Sequence, residues 1–203
     1  MTEQHRLELR PITAADTDQA VGVLSRGMLD NPGHVAAFGS DPERRQARLA
    51  RMFGGLFAVI DDRPKVGVFE GDRMVGFASG STPGRCRLGP LQQARAGLAM
   101  IGNGPASLVR VLRWQGTWAG QDPDRPHHHF GPIAVDAGRQ GQGIGSLLMT
   151  AFTEQWDRAG EAAYLETDKP ENLAFYRRHG FEVITEGPVL GRPNWFLWRD
   201  PRS

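Results

Sequence analysis

The run "DAGRQGQGIGS", Asp136 to Ser146, sets glycines at alternate positions 141, 143 and 145, directly ahead of a long amphipathic segment. Glycine inside a helix costs about 1 kcal/mol relative to alanine, so such a cluster is unfavourable unless the backbone itself is needed there. Upstream, "HHHFGPIAV" reads as a strand. Downstream, "GSLLMTAFTEQWDRAG" reads as a helix, with Leu147, Leu148, Ala151, Phe152 and Trp156 on the i, i+4 rhythm and Gly160 as its stop. A strand, a glycine-rich turn and a helix start in that order bring unpaired amides, and their partial positive charge, to one point. With no Cβ in the way those amides can close on a phosphate or pyrophosphate; a bare turn is the other use of the same residues.

The remaining chain alternates strand and helix patterns. "LELR" with Leu7 and Leu9 opens as a strand, and "TAADTDQAVGVLSRGML" follows at helical spacing. "DNPGHVAAFGSDP" reads as a Gly/Pro-rich break before a second helical stretch, "ERRQARLARMFGGLFAVI". "KVGVFE" and "RMVGFASG" form a hairpin about Gly71-Asp72. Residues 83–126 are the least regular, with helices expected in "GPLQQARAGLAMI" and "PASLVRVLRWQGTW". Beyond the glycine run come a strand "AAYLET", a short helix "PENLAFYRRHG" between Pro170 and Gly180, and the strands "FEVITE" and "NWFLWR". Residues 1–203 therefore read as one α/β or α+β domain, with a length sufficient for a substantial core.

Composition narrows the partners. A formal net charge of +1 gives no basic excess that would call for nucleic acid or an anionic membrane. Cys86 is the single cysteine, which excludes an internal disulfide and a cysteine zinc cluster. The opening residues hold no apolar signal core and no apolar run approaches a membrane span, so a cytoplasmic location is expected.

What is missing weakens two readings of which phosphate ligand suits the glycines. A dinucleotide fingerprint requires a third glycine where Ser146 stands, and a nucleotide P-loop requires a lysine that the run lacks. Gln140-Gly141-Gln142-Gly143-Ile144-Gly145 instead resembles the Gln/Arg-x-x-Gly-x-Gly/Ala signature of the GNAT superfamily of acyl-CoA-dependent N-acetyltransferases. "GPIAVD" before it resembles that family's fourth strand, and "LETDKPENLAFYRRHGF" after it resembles the fifth strand and following helix. The "LET…N…FY…GF" arrangement is similar to the branch that includes puromycin acetyltransferase. The resemblance runs from His127 to about Glu186; the N-terminal half fits in outline.

The resemblance implies a mixed, centrally splayed β-sheet flanked by helices, with acetyl-CoA as co-substrate. It implies that residues Gln140, Gly141, Gln142, Gly143, Ile144, Gly145 and Ser146 hold the CoA pyrophosphate. Ile133, Ala134 and Val135 would pair with the pantetheine arm as if it were an added strand. The residues point the same way: Pro132 cannot donate a ladder hydrogen bond and Gly131 weakens pairing further, so the strand is interrupted where a splay would open. By the same resemblance Asn172 bonds the pantetheine arm and Tyr176, one helical turn later, protonates the departing thiolate.

The acceptor amine needs a base. In a strand His127 and His129 share one face and His128 takes the other. Counted back from the glycines, His129 falls where several family members carry a catalytic glutamate or histidine; Glu166, ending "AYLE", is the second candidate. At most two of the three histidines share a face and no third ligand is evident, so no metal is expected. Cys86 lies in no motif and reads as an inert buried thiol. The resemblance places acceptor recognition around 30–38 and in 83–126. The second segment carries Arg85, Arg87, Arg95, Arg110, Arg113 and Arg125 against Asp122 and Asp124, which would repel a polycationic acceptor. Trp114 and Trp118, at i, i+4, suit either a pocket for a flat amine or the core. The expected activity is N-acetylation of a small-molecule primary amine by direct transfer in a ternary complex, with a homodimer left open as an assembly. The alternatives are a non-catalytic acyl-CoA-binding sensor and an unrelated nucleotide-binding enzyme.

Overall fold

A computed structural model describes residues 6–60, 63–86 and 88–202. Arg87, one of the six arginines of the connecting segment, lies outside the described residues. Seven strands form one mixed sheet in the order β1-β2-β3-β4-β5-β7-β6. They are β1 Leu7–Pro11, β2 Lys65–Glu70, β3 Arg73–Gly80, β4 His128–Val135, β5 Ala163–Thr167, β6 Glu182–Val189 and β7 Arg192–Arg199. The helices are α1 Thr17–Gly27, α2 Pro32–Phe38, α3 Pro42–Phe57, α4 Pro90–Met100, α5 Pro105–Ala119, α6 Ile144–Ala159 and α7 Glu171–Arg178.

Alternation along the strands divides the core between the two faces. Phe69, Met74, Phe77, Tyr164, Phe196 and Trp198 meet α1, α2, α3 and α5 on one side. Val68, Val75, Ala78, Leu165 and Leu197 meet α6 and α7 on the other. All neighbouring strands run antiparallel except β4 and β5, which are parallel. Among the described residues no helix is long and apolar enough to cross a membrane.

One sequence expectation fails here. "DNPGHVAAFGSDP" is not a break, because it contains α2. Its proline occupies the first helical turn after an extended Asn31, and Gly39, at φ 98°, follows the last turn. The residues read as breakers are the start and stop signals of a short helix. Its buried residues His34, Ala37 and Phe38 stand at i, i+3, i+4, and two turns are too few for that rhythm to stand out. Trp114 resolves toward the core: it is buried and meets Trp118 edge-on at 5.1 Å. Trp118 is partly buried and donates its indole N–H to Asn194 Oδ1 at 3.3 Å.

His34 sits on α2 among Phe38, Phe53 and Trp114, and its Nδ1 donates to the Met28 carbonyl at 3.0 Å. Burial disfavours its charge and holds its pKa down to about 4, only partly offset by Asp168. The unfolded chain has an ordinary imidazole near 6.5, so the stability tied to neutral His34 is complete above that pH. It is lost as pH falls toward about 4. We expect urea unfolding at pH 7, 5.5 and 4.5 to show a loss on the order of 2–3 kcal/mol from this residue. A folded His34→Gln variant should show correspondingly less acid sensitivity; identical pH profiles would remove His34 as the cause.

Candidate active site

β4 and β5 are paired at only two positions, His128 with Ala163 and His129 with Tyr164. Beyond them the strands part. Gly131 and Pro132, joined by a cis peptide, interrupt the ladder on the other side too, where the register with β3 shifts between Ala78 and Gly80. From Ile133 to Val135 strand β4 pairs again with Ala78, Phe77 and Gly76 of β3, while its opposite edge has no strand partner among the described residues. Ile133, Ala134 and Val135 thus present one open backbone edge, the requirement for strand addition by an extended ligand carrying amides.

The glycine run closes that edge at one end. Gly141 and Gly143 have φ of 76° and 81°, a conformation that side chains disfavour, and an added Cβ at either would meet nothing within 4 Å. The need for glycine is therefore conformational, and the space in front of the loop is open. Leu147 N, bonded to Gly143 O at 3.0 Å, starts the helical ladder, so the amides of Ile144, Gly145 and Ser146 precede it. Gln140 donates to the Val135 carbonyl at 3.3 Å, and Gln142 to the Gly138 carbonyl at 3.5 Å, folding the loop back toward the strand end. These residues fit a pyrophosphate-bearing ligand lying along β4.

Sequence reasoning missed the anchor of this loop. Asp136 is buried and accepts two hydrogen bonds from Arg26 of α1, at 3.2 and 3.0 Å, and one from Arg73 of β3 at 3.0 Å. The Arg26 and Arg73 bonds outweigh burial and hold its carboxyl below the usual range. No periodicity marks a carboxylate whose partners lie over sixty residues away.

On the helix side, Tyr176 is buried against Phe175 and Phe181. Its hydroxyl makes no hydrogen bond among the described residues. Burial, then the Asp168 and Glu166 carboxylates, push its pKa upward. Asn172, one turn earlier, donates to Thr167 Oγ1 at 3.3 Å at the end of β5.

On the opposite face the two base candidates form a single pair. His129 Nε2 lies 2.8 Å from Glu166 Oε2; Glu166 Oε1 is buried with no well-formed hydrogen bond among the described residues, and the Tyr164 hydroxyl lies near the same carboxylate. Burial disfavours charge on His129, but Glu166 and a hydrogen bond to Asp122 outweigh it and lift its pKa to about 10. An imidazolium cannot accept the amine's proton at neutral pH; a carboxylate oxygen can. His127 faces the same side as His129, and His128 faces away, stacked on Trp156 and bonded to Glu161 at 2.6 Å. Two other readings of this region change. Asp122 brings a third metal-capable donor to His127 and His129. Cys86, half-buried, lies 3.3 Å from Ser81 Oγ and 3.6 Å from His127 Nε2, so it is part of a polar cluster and not an isolated core thiol. The loop that delivers Asp122 has no periodic pattern that would have betrayed its position.

Residues 105–183 match the family model described as acetyltransferase (GNAT) domain. Over that stretch the chain is similar to GNAT acetyltransferases. The whole fold is shared as well. A Corynebacterium glutamicum structure described as histone acetyltransferase HPA2 and related acetyltransferase aligns with a TM-score of 0.71 at 20% identity, covering 97% of each chain. The PaiA N-acetyltransferase of Thermoplasma acidophilum, in complex with coenzyme A, aligns at 0.59 and 11% identity, covering 96% of this chain and 99% of that one. A Brucella melitensis GNAT family acetyltransferase in complex with acetyl-CoA aligns at 0.54 and 16% identity, over 98% and 91%.

Within this loop the glycines separate into two kinds. Gly143 is required by its φ, whereas a Cβ at Gly145 would make ordinary contacts, 3.6 Å to Phe175 and 3.8 Å to Val135. We expect Gly145→Ala to fold with unchanged stability yet to bind CoA more weakly, and folded Gly143→Val to lose measurable binding. Calorimetry showing wild-type CoA affinity in both folded variants would contradict a role for this loop in cofactor binding.

Proposed function

We propose that this chain is an acetyl-CoA-dependent N-acetyltransferase acting on a primary amine of a small molecule, by direct transfer with both substrates bound. The observation that carries the reading is the coincidence of two features at the β4–β5 fork. The free edge of β4 begins there, and the Glu166 carboxylate is held next to it by His129, the last β4 residue paired with β5. Acetyl-CoA, when bound, supplies the activated acetyl thioester.

In this reading the amides from Gln140 to Ser146 hold the pyrophosphate, and Ile133, Ala134 and Val135 align the pantetheine arm with help from Asn172. Glu166 Oε1 takes the proton lost by the amine as its nitrogen forms the new bond to the acetyl carbon. His129 holds the other carboxylate oxygen and fixes the orientation of the group. Tyr176 gives its proton to the thiolate as the carbon–sulfur bond breaks. Its raised pKa keeps it protonated until that moment. Holding amine and thioester together supplies the larger part of such an acceleration, with proton transfer adding a factor of about a hundred to ten thousand.

Charge supports a compact amine over a basic polypeptide. The carboxylates of Glu166 and Asp168 end β5; Asp168, buried, accepts from Gly33 N of α2 at 2.6 Å. They favour a single cationic group at the fork. Arg95, Arg110 and Arg113 are exposed on α4 and α5 and would repel an extended basic chain. The similarity of "LET…N…FY…GF" to the puromycin acetyltransferase branch agrees with an acceptor of that size.

Thiol release from acetyl-CoA across a panel of amines, including aminonucleosides and polyamines, tests the activity. Tyr176→Phe should lower kcat by a factor on the order of ten to a thousand while CoA affinity is kept. Glu166→Gln should lower kcat/KM by a similar factor. A Glu166→Gln enzyme with wild-type kinetics would take the base role from Glu166, and binding of acetyl-CoA without turnover on any amine would favour the sensor reading.

A further inference from the structure

Asp122, His127 and His129 come from two parts of the chain and aim at one point. Asp122 lies in the connection after α5; the two histidines share one face at the start of β4. One donor atom from each lies within 4.8 Å of the others. Asp122 Oδ1 is 3.1 Å from His127 Nε2 and 3.7 Å from His129 Nδ1. Donors bound tetrahedrally at about 2.0 Å from an ion stand roughly 3.3 Å apart, so the observed spacing brackets the edge of such a site.

The far side of each ring is engaged in the way a metal ligand requires. His127 Nδ1 donates to the Arg125 carbonyl at 2.7 Å, leaving Nε2 toward the cluster. His129 Nε2 faces the buried Glu166 carboxylate at 2.8 Å, leaving Nδ1 toward the same point. A carbonyl and a carboxylate behind two histidines fix the tautomers whose lone pairs converge. Each inward nitrogen also faces Asp122 Oδ1, an arrangement that needs a positive charge between them: a proton on each ring, or one cation for both. The Asp122 and His127 side chains are nearly buried, whereas a quarter of the His129 side chain is exposed and opens a path for entry.

We propose that Asp122, His127 and His129 form a site for one divalent transition-metal ion of the zinc class, with its fourth position open toward the β4–β5 fork. Imidazole and carboxylate donors in a three-ligand set suit zinc over magnesium or calcium, which prefer all-oxygen shells. A bound ion would tie the end of the α4–α5 excursion to β4. It would also keep His129 Nε2 protonated toward Glu166, so the ion would position the base from one residue away. The donor set stands on its own geometry and does not depend on which amine the enzyme acylates.

Binding is tested with zinc and cobalt on the full chain stripped of metal. We expect one zinc per chain by equilibrium dialysis with elemental analysis, a higher Tm on zinc addition, and visible cobalt bands of tetrahedral intensity. Asp122→Asn and His127→Gln, each shown to be folded by circular dichroism, should lose affinity by a factor on the order of a hundred or more, whereas His128→Gln, facing away, should keep it. Wild-type crystals soaked in zinc should show anomalous density between the three donors, a result that needs no variant to fold. Absence of that density, or stoichiometric binding that survives both ligand substitutions or vanishes only with Cys86→Ser, would overturn the site.

Discussion

The shortness of the β4–β5 pairing governs the rest of the molecule. Parallel neighbours in a sheet ordinarily share a full ladder, yet here two register pairs are made and then the strands diverge. An open backbone edge inside a sheet carries unpaired polar groups, which is tolerable only next to water or a ligand with amides of its own. That necessity locates the site before any side chain is considered. Tyr176 lies on the α6–α7 face, while Glu166, His129 and Asp122 lie on the α1–α5 face.

The ladder is stopped from two directions. Gly131 and Pro132 remove regular pairing on β4, and the buried Asp136 clamp holds the strand's exit against α1 and β3. The two arginines that grip Asp136 come from elements distant in sequence, so the glycine loop is oriented by the packing of the N-terminal half. The loop turns on glycines with positive φ, and the anchored strand end below it sets its orientation.

Much of this was readable from the chain. The glycine run, the helix after it, the hairpin about Gly71 and the strand break at Gly131-Pro132 each carry a local physical signature, and together they yield the fold family. Local signals fail where structure is set by distance. α2 was hidden because two turns are too short for periodicity to emerge between a proline and a glycine. The pairing of His129 with Glu166 joins two strands whose register no local rule reveals, and it turned two rival bases into one unit. Asp122 sits in a loop without any pattern, and only the return of that loop to β4 places it beside His127. Cys86 looked solitary for the same reason: its partners are Ser81 and His127, brought together by the path of the chain.

That path also decides how much the connection can vary. The excursion carrying α4 and α5 leaves β3 at Ser81 and returns to β4 at His127, and its two ends are fastened to each other. Ser81 N donates to the His129 carbonyl at 2.8 Å, Ser81 Oγ accepts from His129 N at 3.1 Å, and His128 Nδ1 donates to the Ser81 carbonyl at 3.0 Å. A segment whose entry and exit are stitched side by side can change length, at small entropic cost, without the strands beneath sensing it. The helices it carries can therefore change in length or sequence without displacing the sheet, the glycine loop or the fork beneath them.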